Sequence, residues 1–156
     1  MTFIPESIKV VSLLEPAADA GGRTSAHISL KNVQRAWLVA HIDQADVATI
    51  VLQPLKATSV AGGGSTAITT AVPIYVTQDA AVDDSQARTT DATSFTTSAA
   101  TKVKVVTFVI DPAKLGATFD CLGISTDASN AANITSAVAL LEMRHQGSTT
   151  PSVLTD

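Results

Sequence analysis

The stretch Lys102-Val-Lys-Val-Val-Thr-Phe-Val-Ile110, followed at once by Asp111-Pro-Ala-Lys-Leu-Gly116, decides the fold class. Its first nine residues are rich in β-branched side chains, contain neither Gly nor Pro, and read as a strand. The six that follow read as one helical turn. Asp111 is placed to cap it, Pro112 opens it where a missing N–H costs nothing, and Gly116 closes it.

The same alternation of short β-branched runs and turn residues extends in both directions. Strands are expected over Ser7–Leu14, Thr24–Leu30, Ala36–Ile42 and Val47–Leu55, the last interrupted near Pro54, which cannot donate to a ladder. Further strands are expected within Ala67–Thr77, with a bend at Pro73, around Phe95, over Thr118–Ser125 and over Ala137–Arg144. The last segment has helical propensity too, and is read as a strand because it is short and its neighbours are strands. Turns or loops fall at Ala17–Arg23, Asp43–Asp46, Ala61–Ser65, Gln78–Ala92 and Asp127–Asn133, where Gly, Asp, Asn and Ser gather. About eight or nine short strands so spaced indicate an all-β, antiparallel β-sandwich, jelly-roll-like, with an immunoglobulin-like sandwich as the alternative. The expected organisation is one domain over residues 1–156 with short extended tails at about 1–6 and 147–156.

Composition narrows the function. The chain has 156 residues, of which 46% are apolar, 15% charged and 4% aromatic, with a net charge of −4. Nucleic-acid binders carry a basic excess because neutralised phosphates supply much of the affinity, and none exists here. The densest basic stretch, Lys102 and Lys104, places two lysines on one face of a strand. The N-terminus lacks a basic region, and Glu6, Lys9 and Glu15 break its apolar run, so it does not read as a secretory signal. No apolar run approaches the ~20 residues that span a bilayer. Direct nucleic-acid and membrane partners are therefore not expected, and the chain is expected to be made in the cytoplasm or built into something assembled there. The charged fraction falls below the usual ~25% of soluble domains, which hints that part of the surface is covered in use.

The residues that carry chemistry do not assemble into a mechanism. His27, His41 and His145 are far apart in sequence. His41 and Asp43 share strand parity, but no serine follows in a G-x-S-x-G setting. Gly62-Gly-Gly-Ser65 lacks the lysine and following helix of a phosphate loop. Asp79, Asp83, Asp84 and Asp91 have no EF-hand spacing and read as a solvated acidic loop. Cys121 sits among apolar residues beside Asp120, a setting that does not favour a thiolate. Trp37, inside an apolar strand, reads as core. Asn133-Ile-Thr135 fits a glycosylation sequon, which carries little meaning without a signal peptide. The expectation is a non-enzyme with no cofactor and no metal.

Three stretches resemble a known family. They are Ile28 to Leu52, which contains Arg35-Ala-Trp-Leu-Val-Ala-His-Ile42; Ala71-Val-Pro-Ile-Tyr-Val-Thr77 with the Asp/Thr/Ser-rich segment to Ala100; and Val106-Thr-Phe-Val-Ile-Asp-Pro-Ala-Lys-Leu115 leading into Gly123–Ile134. Together the chain resembles the small β-sandwich structural proteins of tailed bacteriophages, particularly head decoration (cement) proteins, over roughly Thr24 to Arg144. The resemblance implies a viral structural protein bound to the outer surface of a capsid, with a major capsid protein as partner. It also implies a homo-oligomer, a trimer being favoured, and a virion location after synthesis in the host cytoplasm. It transfers no functional residues. Phe3, Ile4, Val153 and Leu154, apolar anchors in tail-like ends, are the candidate docking residues. The alternatives are another phage head or tail component, or a module binding glycans on a host surface.

Overall fold

The computed structural model describes residues 7–82, 85–144 and 152–155. Twelve strands are present among them: β1 (Ile8–Ala18), β2 (Arg23–Thr24), β3 (Ile28–Ser29), β4 (Val33–Asp43), β5 (Val51–Ala57), β6 (Thr66–Ala67), β7 (Ile74–Thr77), β8 (Ala87–Arg88), β9 (Phe95–Thr96), β10 (Val103–Ile110), β11 (Cys121–Thr126) and β12 (Ile134–Met143). The surplus over the sequence expectation has two sources: Thr24–Leu30 and Ala67–Thr77 are each divided in two, and β8 forms inside the expected loop Gln78–Ala92, its two residues too few to leave a periodic signal. The predicted turn is present as a 3-10 helix, Pro112–Leu115. Asp111 accepts a hydrogen bond from the Ala113 N–H, and Gly116 has a φ of 104°.

The strands form two antiparallel sheets. The first runs in the order β1-β12-β4-β10-β7-β8. The second runs β2-β11-β5-β6, with β3 also on β11 and β9 also on β5. The chain crosses between sheets from β4 to β5, from β10 to β11 and from β11 to β12, so its halves interlock as expected of a jelly-roll-like sandwich. Leu38, Ile42, Val106 and Phe108 of the first sheet meet Leu52, Leu122 and Ile124 of the second in one apolar cluster. This is the core that the alternation of β4 and β10 predicts.

Several boundaries differ from expectation for physical reasons. The expected strand Thr24–Leu30 is split into β2 and β3, because Ser25 turns its hydroxyl into the Ile124 N–H and so replaces a ladder bond. Pro54 lies inside β5 rather than ending it. Its carbonyl still accepts from Ile68, and β6 pairs only with the next two residues. β1 continues to Ala18 past register shifts around Leu14, with Pro16 on this edge strand, features that discourage further edge pairing.

The two lysines expected on one strand face fare differently. Lys102 is exposed and pairs with Asp79 at 2.7 Å. Lys104 is 0% exposed. Its Nζ donates to Gln44 Oε1 at 2.9 Å and to the carbonyls of Ser98 and Ala100. Three neutral acceptors thus satisfy the three ammonium hydrogens, while burial holds its pKa below the usual lysine value.

Candidate functional site

The feature that stands out is the outer face of the first sheet. Along β4, Ala36, Leu38, Ala40 and Ile42 are 0% exposed and point inward. Arg35, Trp37, Val39, His41 and Asp43 have the opposite parity and point outward. The register aligns Val10, Leu140, Trp37 and Val109 in one row across β1, β12, β4 and β10. The next row is Ser12, Val138, Val39, Thr107 and Tyr75, and a third holds Ser136, His41, Val105 and Thr77. Charges lie at the margins, with Arg35 beside Glu142 at one end and Asp43 at the other. The centre is Val, Leu, Trp, Thr and Ser. Most of these side chains are half-buried because neighbours on a sheet shield one another sideways, and Val10, toward the edge, is 59% exposed.

Trp37 is therefore not a core residue. The signal that places it outward was present in the sequence: its parity partners Arg35, His41 and Asp43 are polar, whereas those of Leu38 are apolar. Trp37 and Tyr75 line a shallow depression on this face together with Arg35, Gln86, Thr107 and Val109. Gln86 Nε2 donates to Thr107 Oγ1 at 3.2 Å across its floor.

The other residues singled out from the sequence are used structurally. His27 is buried, and its Nε2 lies 2.9 Å from Ser65 Oγ. That hydrogen bond ties the glycine-rich loop to the outer side of β11. Burial lowers the His27 pKa below its ordinary value. Within the loop, Thr58 N–H and Oγ1 both donate to the Gly63 carbonyl, and a strand, β6, follows rather than a helix. His41 and Asp43 share the outer face as expected and stand apart from Ser65 and His27 on the opposite sheet. His145 lies outside the described residues. Cys121 is buried, with Sγ 3.4 Å from Asp120 Oδ1, a neighbour that opposes thiolate formation. In the acidic loop the hydrogen bond from Lys102 holds the Asp79 carboxyl below its usual pKa, and Asp91 pairs with Arg88 at 3.0 Å. Asp83 and Asp84 lie outside the described residues. Among the described residues, no three His, Cys, Asp or Glu side chains converge on one point. Asn133 is 0% exposed, its amide donating to Ala48 O and Ser129 Oγ, so the folded chain hides the sequon.

The candidate docking residues separate. Val153 is 2% exposed and belongs to the chain's own core cluster, and its carbonyl accepts from Ser29 N–H at 2.7 Å. Leu154 is 60% exposed. Phe3 and Ile4 lie outside the described residues.

The architecture defines an all-β sandwich protein with two six-stranded antiparallel sheets. No protein-family model matches the chain, and no curated protein matches it. Among solved structures the chain is similar to one titled "Crystal structure of SPBc2 prophage-derived protein YomS", with a TM-score of 0.48 and 10% identity over 86% of this chain and 93% of that one.

Proposed function

We propose that this chain is a non-enzymatic virion structural protein that decorates the outer surface of a phage head and stabilises it. The observation that carries the reading is the character of the sandwich surface. The first sheet turns outward a broad, nearly flat array of Val, Leu, Thr and Ser with charges only at its margins. Such a surface suits packing into a repeated shell, where modest contacts multiply through avidity. Residues of types that carry chemistry hold loops in place instead, as with His27 on Ser65 and Lys104 on Gln44. The major capsid protein is the proposed partner, and exposed Leu154 is a proposed contact with it, whereas Val153 is committed to the chain's own core.

Co-sedimentation with purified heads tests this reading. The chain is expected to pellet with assembled capsids and not with isolated capsid subunits. Recovery wholly in the supernatant overturns it.

A second reading, binding of a host-surface glycan, draws support from Trp37 and Tyr75 lining one depression beside Arg35 and Gln86. Aromatic faces with adjacent hydrogen-bonding groups suit sugar rings. A glycan array repeated with Trp37→Ala separates the two readings, because only the glycan reading predicts a signal that Trp37 controls.

A further inference from the structure

From the outer face of the first sheet we infer that a second copy of this chain packs against it, face to face, about a two-fold axis, rather than in the trimer that the family resemblance favours. Three observations lead there.

The first is size. Four strands, β1, β12, β4 and β10, about 4.8 Å apart, and the nine residues Arg35–Asp43 of β4, about 3.3 Å each, define a footprint of roughly 600 Å². A stable standard-size interface buries about 600–1,000 Å² per partner.

The second is composition. The inward side of this sheet is already sealed by the core, yet the outward side repeats its Val and Leu content in the rows around Trp37 and Val39. Among the described residues no third sheet covers it, and the segment carrying Ser85 and Gln86 reaches over only the end at Thr77 and Thr107, where both threonines are buried. A central patch depleted of charge, with an aromatic anchor, is the composition of an interface core rather than of a solvated face.

The third is charge symmetry. Arg35 stands across from Glu142 but, among the described residues, neither Arg35 nor Asp43 comes within ion-pair distance of an opposite charge, and the two lie equally far from Val39 along β4. A two-fold axis in the interface, crossing the strands at Val39, sets Val39 on the second copy's Val39. It sets Trp37 over the second copy's His41 and Arg35 over its Asp43. The other in-plane axis, along the strands, opposes Arg35 to Arg35. Only the first arrangement is complementary, and in it each contact occurs twice, as isologous pairing requires. Two sheets stacked in this way sit about 10 Å apart with side chains interdigitated.

The arrangement closes the Trp37 depression and places the chain's single tryptophan at the interface. Trp37 emission therefore reports association directly. With the intact chain, light scattering is expected to give twice the 16.0 kDa chain mass, and Trp37 emission should shift to the red on dilution. Val39→Glu opposes two carboxylates on the axis and should yield the 16.0 kDa species. Its far-UV circular dichroism spectrum should match that of the parent, because the side chain faces outward, while its melting temperature falls by the stabilisation that association contributes. Val138→Glu, in the same row, is the second variant should Val39→Glu fold poorly.

Arg35→Asp should weaken the dimer about tenfold. Adding Asp43→Arg should restore it, which a merely apolar contact would not do. Four results overturn the inference: a parent chain that stays monomeric at every concentration, a trimeric mass, an assembly unchanged by both Val39→Glu and Val138→Glu, or a glycan bound at Trp37 by the assembled form. Capsid co-sedimentation reads none of these, so the decoration reading is tested separately; where the second copy covers this face, the shell contacts fall on the remaining surface, which includes exposed Leu154.

Discussion

The two sheets treat their outer faces in opposite ways. On the second sheet, the outward residues of β11 are roofed by the chain itself. Gly123 lies directly beneath Ser25 and His27, where a Cβ would come within 3.0 Å of His27 Cδ2 and 3.1 Å of Ser25 Oγ. Ser65 holds His27 from above, and Gln53 on neighbouring β5 donates to the Thr93 carbonyl at 2.8 Å. On the first sheet only the end at Thr77 and Thr107 is covered among the described residues, by Ser85 and Gln86, and the rest turns outward Val, Leu and Trp with Ser, Thr and Tyr between them. One face is closed by polar side chains and loops of the same molecule. The other carries apolar area that intramolecular packing leaves unused. Burial by the chain's own loops contributes to folding; area left open contributes only when something else arrives.

That contrast can be broken from either side. The largest effect is expected at Gly123→Ala, because the methyl group crowds Ser25 and a hydrogen-bonded His27, both of which must move back. Overpacking of this kind costs about 1–3 kcal/mol, which a thermal melt would register as a drop of several degrees. An unchanged melting temperature would show that the roof over β11 is loose.

The next effect is a pH dependence. Burial lowers the His27 pKa, so the folded chain resists a proton that the unfolded chain accepts near 6.5. Stability from this site is fully present above about pH 6.5 and is lost as the pH falls toward the folded value. Urea unfolding between pH 7.5 and 5 should show this decline, and His27→Gln should flatten it. An identical slope in the variant would locate the dependence elsewhere.

The smallest stability effect is expected on the first sheet. Val138→Thr keeps a β-branched shape on an outward, half-buried position and should change stability by no more than about 0.5 kcal/mol. Measured in the Val39→Glu background, where the chain is expected to be monomeric, a loss well beyond that would mean the face is already covered within one chain.

Much of this contrast was legible beforehand. The Lys102–Ile110 run, the capped turn at Asp111–Gly116 and the alternation through Ala36–Ile42 each encode local structure through neighbours in sequence, and each is present near its expected boundaries. Ala87–Arg88, inside the expected loop Gln78–Ala92, was not legible, since two residues have no period to detect and pair only because β7 offers an edge, whereas Phe95–Thr96 falls where a strand was expected. Lys104 shows the same limit. Parity placed it with Lys102, yet only the approach of Gln44 and the 98–100 segment supplies the three acceptors that make its burial tolerable. Trp37 is the opposite case: its outward direction was available from its polar parity partners, and its apolar flanks obscured it.

By itself, then, the sequence determined the all-β class, the sandwich and the capped turn, because turn chemistry and period-2 patterning act within a few residues of chain. Only the tertiary structure decided which alternating face is sealed, that His27 and Ser65 meet across 38 positions, and that Val153 completes the core while Leu154 stays outside. Those outcomes depend on which distant segment arrives at each sheet surface. Burial there is a property of both partners, and the pattern of one strand specifies only its own half.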